Sequence, residues 1–519
     1  MKAALDVAQP ERASAGLAPR GATAWIDGLV VVLAVAAVVA AGALRFFISD
    51  GQPLWLDETW TGAIATQRGF SQFWRQVYLD VNAPLYYLFM HGWQALFGAS
   101  DKALRLPSAI FGAAAPVLIA LAPSTGLARP GRLTWAALLA LWIPGVWLGG
   151  EARGYTLLAL ISVAAMLAYL RLLRAPSTAR ATVWAGLSAL AILTHYHALL
   201  LAALQGLGYL AYRRERALRT WPAALAFLPA FAWLAWHAPR IAAFMQPGVA
   251  WYPLLKVRGF DLVAAYPFGT VTVMIGSAVI LAAAAGLAMA AARLARSSGG
   301  ARAYPDTALW LAVAAAVAGA VAVTALGFVR PSFTTRYLVP FVPGILLGLV
   351  LVAARAGRTG GVAMAALIGL FAWGTATWAV AEFDDGWRWY SWEEAADDIM
   401  AGAPDRVVFV WDHPASPILT TDQLAAVGGF FFARDGVAVK IDPVVLRADQ
   451  DPNPRLLAEL SSPRAALIWA YDIGVQGTAA RRFPPRLSRL DPTLKCRNYG
   501  RGSIGVLACE RQGSLENRP

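Results

Sequence analysis

The stretch 83-APLYYLFMHGWQALFG-98 decides how this 519-residue chain is threaded, because the fold depends on whether the stretch crosses a membrane or lies along it. Composition makes a membrane the setting. Hydrophobic residues are 58% and charged residues 14% of the chain, against roughly 45–50% and ~25% in soluble domains. Aliphatic runs recur along most of the sequence, and the 21 tryptophans suit interfacial belts. A net charge of +13 would ordinarily suggest nucleic acid, but here the arginines stand in short clusters between apolar runs. That is the pattern of cytoplasmic loops in a multi-pass protein. The clusters are Lys2/Arg12/Arg20, Arg129/Arg132, Arg171/Arg174/Arg180, Arg213/Arg214/Arg216/Arg219, Arg293/Arg296/Arg302 and Arg355/Arg358. If all lie on one side, an even number of crossings separates each from the next. Three apolar runs, 28–44, 83–98 and 106–122, lie between Arg20 and Arg129, and parity admits two. The run 83–98 carries Tyr86, Tyr87, His91, Trp93 and Gln94, so it is the one that lies flat. As a helix it reaches about 24 Å against a ~30 Å hydrocarbon core, but other runs are no longer. Parity and polarity decide the matter.

Region 45–105 then becomes one outer loop with juxtamembrane helices. The breaks at 151-EAR-153, 195-HYH-197, about 239–269 and 329-VRPSFTTRY-337 also fall outside. Counting gives a polytopic α-helical membrane protein with about eleven crossings, in a range of 11–13, in the inner membrane. Residues 1–23 form a cytoplasmic tail, 24–381 the transmembrane domain, and 382–519 a periplasmic soluble domain. The polar first 20 residues and the length of the first run read as a signal anchor rather than a cleaved signal peptide. In the last part, β-rich pieces 407-VVFVW-411, 437-VAVKI-441 and 465-AALIWA-470 alternate with helix-like 421-TDQLAAVGGFF-431 and 454-PRLLAEL-460, which predicts a small α/β domain. Cys496 and Cys509, the only cysteines, fall there, where a disulfide or two free thiols are both open.

Threaded this way, the polar outliers gather on the outer face: Asp57, Glu58, Asp80, Asn82, Glu151, Arg153, Tyr155, His195, Tyr196, His197, Arg336 and Tyr337. Charge at a membrane boundary is costly and marks function by default. Each residue also has a plainer role. Asp57 can cap a helix and Glu58 can favour its first turn. Asp80 and Asn82 precede Pro84 in a turn context, and Glu151 with Arg153 can brace a tight connection. His195 and His197 can be interfacial, and no further ligands stand at zinc spacing. Arg336 can meet lipid headgroups. The pairs Gly145/Gly149 and Gly344/Gly348 fit helix packing.

The ordered series LWLDE, D-x-N-A-PLYY, RLPSAIFG, EARGY, THYHALLL and TTRYLVPFVP, over residues 24 to 381, resembles the bacterial protein-mannosyltransferase-like branch of the GT-C glycosyltransferases. That branch includes the aminoarabinose transferase of lipid A and rhizobial lipopolysaccharide galacturonosyltransferases. The resemblance implies a first outer loop with an Asp-Glu pair and flat helices. It also implies transfer of a sugar from a polyprenyl-phosphate donor to a lipid, glycan or protein acceptor at the periplasmic face. One departure stands out: Asn82-Ala83-Pro84 replaces the branch's His-Pro-Pro.

The residue types suit that chemistry. An acceptor hydroxyl or amine needs a base, for which Asp57 is the candidate, with Glu58 beside it as a second catalytic carboxylate. Asp80, Asn82, Glu151, Arg153, Tyr155, His195, His197 and Tyr337 are candidates for binding substrate. Asp57 and Glu151 are candidates to share Mg²⁺ or Mn²⁺. Arg336 is the candidate clamp for the departing lipid phosphate, with Arg153 as the other. A transporter or flippase would instead show charges buried mid-span and paired broken helices in a repeat. A membrane scaffold for the outer domain would leave the Asp57–Glu58 pair without a purpose.

Overall fold

The computed structural model describes residues 21–246, 249, 254–257, 260–269, 307–356, 359–385, 391–413, 415–446, 453–462, 464–472, 491–499 and 504–511. The basic clusters at Lys2/Arg12/Arg20 and Arg293/Arg296/Arg302, Arg358, and the apolar run before Arg293 lie outside these residues.

Helices α1 (Gly21–Phe47) and α5 (Asp101–Ala120) bracket three shorter ones: α2 (Leu56–Ala65), α3 (Phe70–Leu79) and α4 (Pro84–Phe97). Helix α4 holds the run that parity excluded, and its 14 residues reach about 21 Å. It starts on Pro84, where a missing N–H costs nothing. It stops at Gly98, whose φ of +78° glycine adopts without strain. Ser100 then caps α5, its Oγ accepting the Ala103 N–H at 3.3 Å.

Next come α6 (Arg129–Ala140) and α7 (Ile143–Gly149), an apolar helix pair bent by 58° at the break between them. A break in hydrocarbon leaves carbonyls that no water can reach. Arg45 Nη2 donates to Ala140 O at 2.8 Å, and Thr375 Oγ1 donates to Leu141 O at 2.5 Å. The bend therefore survives because two other helices supply its donors.

The chain continues through α8 (Tyr155–Arg174), α9 (Thr178–Thr194), α10 (Ala198–Tyr212), α11 (Arg214–Arg219), α12 (Leu228–Phe244), α13 (Phe260–Ala265), α14 (Thr307–Val329), α15 (Val342–Ala354) and α16 (Gly360–Asp385). A 3₁₀ turn over Thr335–Phe341 leads into α15. Among the described residues six segments are long and apolar enough to cross a membrane, and the broken α6–α7 pair makes a seventh. The chain is thus a polytopic α-helical membrane protein, with six or seven such spans among the described residues, where the charge pattern counts eleven over the whole chain. The two counts differ because α9, α10 and α12 have 17, 15 and 17 residues, below the length counted as a crossing, and because the run before Arg293 lies outside the described residues. Packing accounts for Gly344 and Gly348. A Cβ there would fall 2.4 Å from Ala316 Cβ and 3.1 Å from Val313 Cγ1, on α14.

After α16 the chain forms a small α/β domain containing α17 (Glu393–Ala401), α18 (Thr421–Gly428), α19 (Phe430–Arg434) and α20 (Asn453–Glu459). Its five strands are β1 (Arg406–Asp412), β2 (Lys440–Val444), β3 (Ala465–Asp472), β4 (Leu494–Asn498) and β5 (Ile504–Arg511), in the order β2-β1-β3-β5-β4. The first three are parallel, and β5 and β4 add antiparallel. Strand β2 begins at Lys440 rather than Val437. Gly436 takes a φ of +75° and the Val437 N–H turns back to Phe432 O, so the intervening residues leave the helix before pairing begins. Cys496 and Cys509 are opposite each other across β4–β5 and joined as a disulfide. Cys509→Ser is expected to cost about 3 kcal/mol by chain-entropy arguments, read as a lower unfolding midpoint of this domain.

The domain rests on the short helices between α1 and α5. One apolar core contains Leu54, Ala63, Tyr86 and Met90 together with Trp392, Phe409 and Phe430. The Phe430 ring lies so close to Gly62 of α2 that a Cβ there would stand 2.5 Å away.

Candidate active site

Helix α2 places two adjacent carboxylates on different faces, because neighbours on a helix are about 100° apart. Glu58 points inward and is fully buried. Its Oε2 accepts the Trp55 N–H at 3.1 Å, and its Oε1 accepts the Ala152 N–H at 2.7 Å. Arg105 of α5 closes a bidentate pair, Nε to Oε1 at 2.8 Å and Nη2 to Oε2 at 2.5 Å. The remaining guanidinium N–H groups reach Gln52 O at 2.6 Å and Pro53 O at 2.8 Å. Both carboxylate oxygens are thus spent on holding α2, α5 and the turn after α7 together. Removing one partner of such a pair strands the other charge, at about 3–5 kcal/mol. Glu58→Ala is therefore expected to lower yield and unfolding midpoint in detergent, and adding Arg105→Met should restore part of the loss.

Asp57 faces the other way, its side chain 31% exposed. Arg336, at the start of the 3₁₀ turn before α15, donates from Nη1 to Asp57 Oδ2 at 3.2 Å. Its guanidinium sits among aromatic faces, with Cζ 4.9 Å from the Trp55 ring centre, 5.3 Å from Trp147 and 5.9 Å from Tyr155. Such contacts favour a planar cation and fix its plane. Buried Glu151, at the end of α7, is the strongest charge acting on this guanidinium. On the opposite flank Arg153 Nη1 donates to Asp57 O at 3.2 Å, and Nη2 lies 4.0 Å from Asp57 Oδ2. Burial opposes the charge on Arg153. Asp57, Tyr87, Tyr155 and Asp80 outweigh that and hold its pKa well above the ordinary value.

Asp80 and Asn82 form the next layer. Asp80 Oδ2 accepts the Tyr87 hydroxyl and the Asn82 Nδ2–H, the latter at 2.9 Å. Tyr87 Oη in turn lies 3.5 Å from Arg153 Nη1. His195, His197 and Tyr337 stack alongside, with His197 and Tyr337 ring centres 4.5 Å apart and Tyr155 5.8 Å from His195. Burial pushes His197 down to about 4 and His195 well below its ordinary value, helped there by His197 and Arg153. At neutral pH this wall is uncharged. A cavity of about 20 Å³, room for a water molecule, lies between Asn82, Tyr87, Arg153, Tyr155 and His195.

The residues present do not suit a divalent cation at Asp57 and Glu151. Asp57 already faces two guanidinium groups, and no cluster of three or more His, Cys, Asp or Glu exists among the described residues. Arg105 and Trp147 stand at the site or its frame without having been singled out from sequence, and Trp55 and Tyr87 were not among the candidate site residues. Arg105 carried the clearest signal, an arginine at the head of the apolar run 106–122.

The helical bundle with its bent pair α6–α7, the loop of short helices carrying the carboxylates and the C-terminal sheet domain seated on that loop together have the fold of the GT-C glycosyltransferases. Among solved structures the chain is similar to ArnT, the aminoarabinose transferase, from Cupriavidus metallidurans bound to undecaprenyl phosphate. The TM-score is 0.56 at 14% identity, covering 95% of this chain and 99% of that one. The apo state of the same protein gives 0.55 at 15%, covering 93% and 98%. The oligosaccharyltransferase AglB from Archaeoglobus fulgidus, in complex with an inhibitory peptide and a dolichol-phosphate, gives 0.45 at 13%, covering 94% and 75%. No protein-family model matches the sequence, and no curated protein matches it.

Proposed function

We propose that the chain is a membrane glycosyltransferase that moves a sugar from a polyprenyl-phosphate-linked donor to a lipid, glycan or protein acceptor at the periplasmic face. The observation that carries this reading is the Asp57–Arg336 pair, a half-exposed carboxylate beside a caged guanidinium. The likeness in fold to ArnT, whose crystal structure contains undecaprenyl phosphate, gives the cation its ligand class. Asp57 takes the proton from the acceptor hydroxyl or amine as that atom attacks the anomeric carbon. The lipid phosphate leaves with the bonding electron pair, and Arg336 receives its growing charge. Because Arg336 is paired with Asp57 in the structure, phosphate binding also draws the cation from the carboxylate and leaves Asp57 free to accept a proton. Arg153 steadies Asp57 from the backbone side. Glu58 serves as a brace, not as a second base. Tyr155, His195, His197 and Tyr337 form a neutral wall against which a sugar can pack, and Asp80 with Asn82 orients Arg153 through Tyr87.

Binding of undecaprenyl phosphate to the purified protein tests the reading. The wild type should retain the labelled lipid phosphate and Arg336→Ala should not; equal retention by both would remove the clamp. Two guanidinium groups supply the positive charge that a metal would bring, so transfer is expected to continue in excess EDTA. A fall to background would restore a metal to the mechanism. A reporter fused after Ala381 should be active only in the periplasm, and cytoplasmic activity would reverse the outer face.

A further inference from the structure

The last carbonyls of a helix find no partner within it. At the end of α3 they are capped from two other parts of the molecule. His237 and Arg240, one turn apart on α12, face the end of α3. His237 Nε2 donates to Tyr78 O at 2.9 Å, and Arg240 Nε donates to Leu79 O at 2.6 Å. The C-terminal domain adds the third contact. Gln423 of α18, 1% exposed, donates from Nε2 to Leu79 O at 3.0 Å and accepts Arg240 Nη2 on Oε1 at 3.0 Å. Arg240 also donates to Ile418 O at 3.0 Å. The capped residue directly precedes Asp80, which holds Tyr87, which lies against Arg153, which is bonded to Asp57 O.

We propose that Arg240 and Gln423 are positioning residues through which the C-terminal domain fixes Arg153 against Asp57. The domain is then part of the active centre's support rather than an appended module. The inference rests on the reading of Asp57 as the base, and its test separates the two. Gln423→Glu is suited to this. Glutamate preserves the capping contact with the Thr420 N–H, which Gln423 Oε1 accepts at 3.1 Å, and keeps an acceptor for Arg240. It replaces the N–H that grips Leu79 O with an oxygen that repels it.

The expected result is a kcat lowered about ten- to a hundredfold, as small displacements at a reacting centre produce, with the KM for the polyprenyl-phosphate donor unchanged. Amide exchange should quicken across residues 76–87, while 420–434 keep wild-type protection. Arg240→Met should give the same pattern, and Arg240→Lys should recover part of the rate. Wild-type kcat with wild-type exchange in Gln423→Glu overturns the proposal. So does a loss of rate accompanied by equal loosening across 420–434, since that reports a weakened domain. If the wild-type protein transfers no sugar, the function fails but the contact does not. Exchange at 76–87 then decides alone, quickened if the contact holds α3 and unchanged if it does not.

Discussion

Asp57→Asn should leave a folded, inserted protein whose transfer rate has fallen by about 100- to 10,000-fold, the usual contribution of a positioned general base. The swap keeps the shape of the side chain and an oxygen for Arg336, so the 3.2 Å contact has an isosteric substitute. It removes the basicity. The fold depends less on this charge than on that of Glu58, because Asp57 is 31% exposed, Glu151 also faces Arg336, and the braces of α2 run through Glu58. Asp57→Asn and Glu58→Ala should therefore separate cleanly: the first loses rate at normal stability, the second loses stability. Near-normal turnover by well-expressed Asp57→Asn protein would end the case for Asp57 as base.

Arg336 gives the second large effect. If it receives the donor phosphate, Arg336→Ala loses both charge and planar geometry. The loss is about 2–4 kcal/mol, or thirty- to several-hundred-fold, divided between donor requirement and maximal rate. Arg336→Lys keeps the charge but forfeits the fork and much of the packing against Trp55 and Trp147, so an intermediate rate should survive. An arginine that merely touched bulk headgroups would give a small effect independent of donor concentration. Rate against donor lipid for the three forms distinguishes these, and a wild-type donor dependence in Arg336→Ala would remove the residue from the site.

Parity of basic clusters, together with two tyrosines, a tryptophan, a histidine and a glutamine in one short run, sets 83–98 apart by a local signal. The same reasoning put Asp57 and Arg336 on one face, although 279 residues separate them. Which of Asp57 and Glu58 faces the site was not legible. Both stand in the same apolar context, and the choice depends on Arg105 and the Ala152 N–H, partners brought in by tertiary packing. The bond from Gln423 to α3 was equally hidden, since 344 residues lie between Gln423 and Leu79 and nothing local marks them as neighbours. The start of β2 differs from the β-rich piece 437–441 for a nearer reason. A run of alternating valines looks like strand from its first residue, while Gly436 delays pairing until Lys440.

The Glu58 brace also bears on how the protein is made. Its partners arrive late, Arg105 47 residues and the Ala152 amide 94 residues further along the chain. Until α5 has entered the bilayer and the turn after α7 has emerged, helix α2 holds a carboxylate with no counter-charge and cannot settle against the membrane. The loop between α1 and α5, though synthesised early, must therefore wait unfinished while α5 and the α6–α7 pair are threaded, and Asp57 gains its final surroundings only when biogenesis of this half of the bundle is complete.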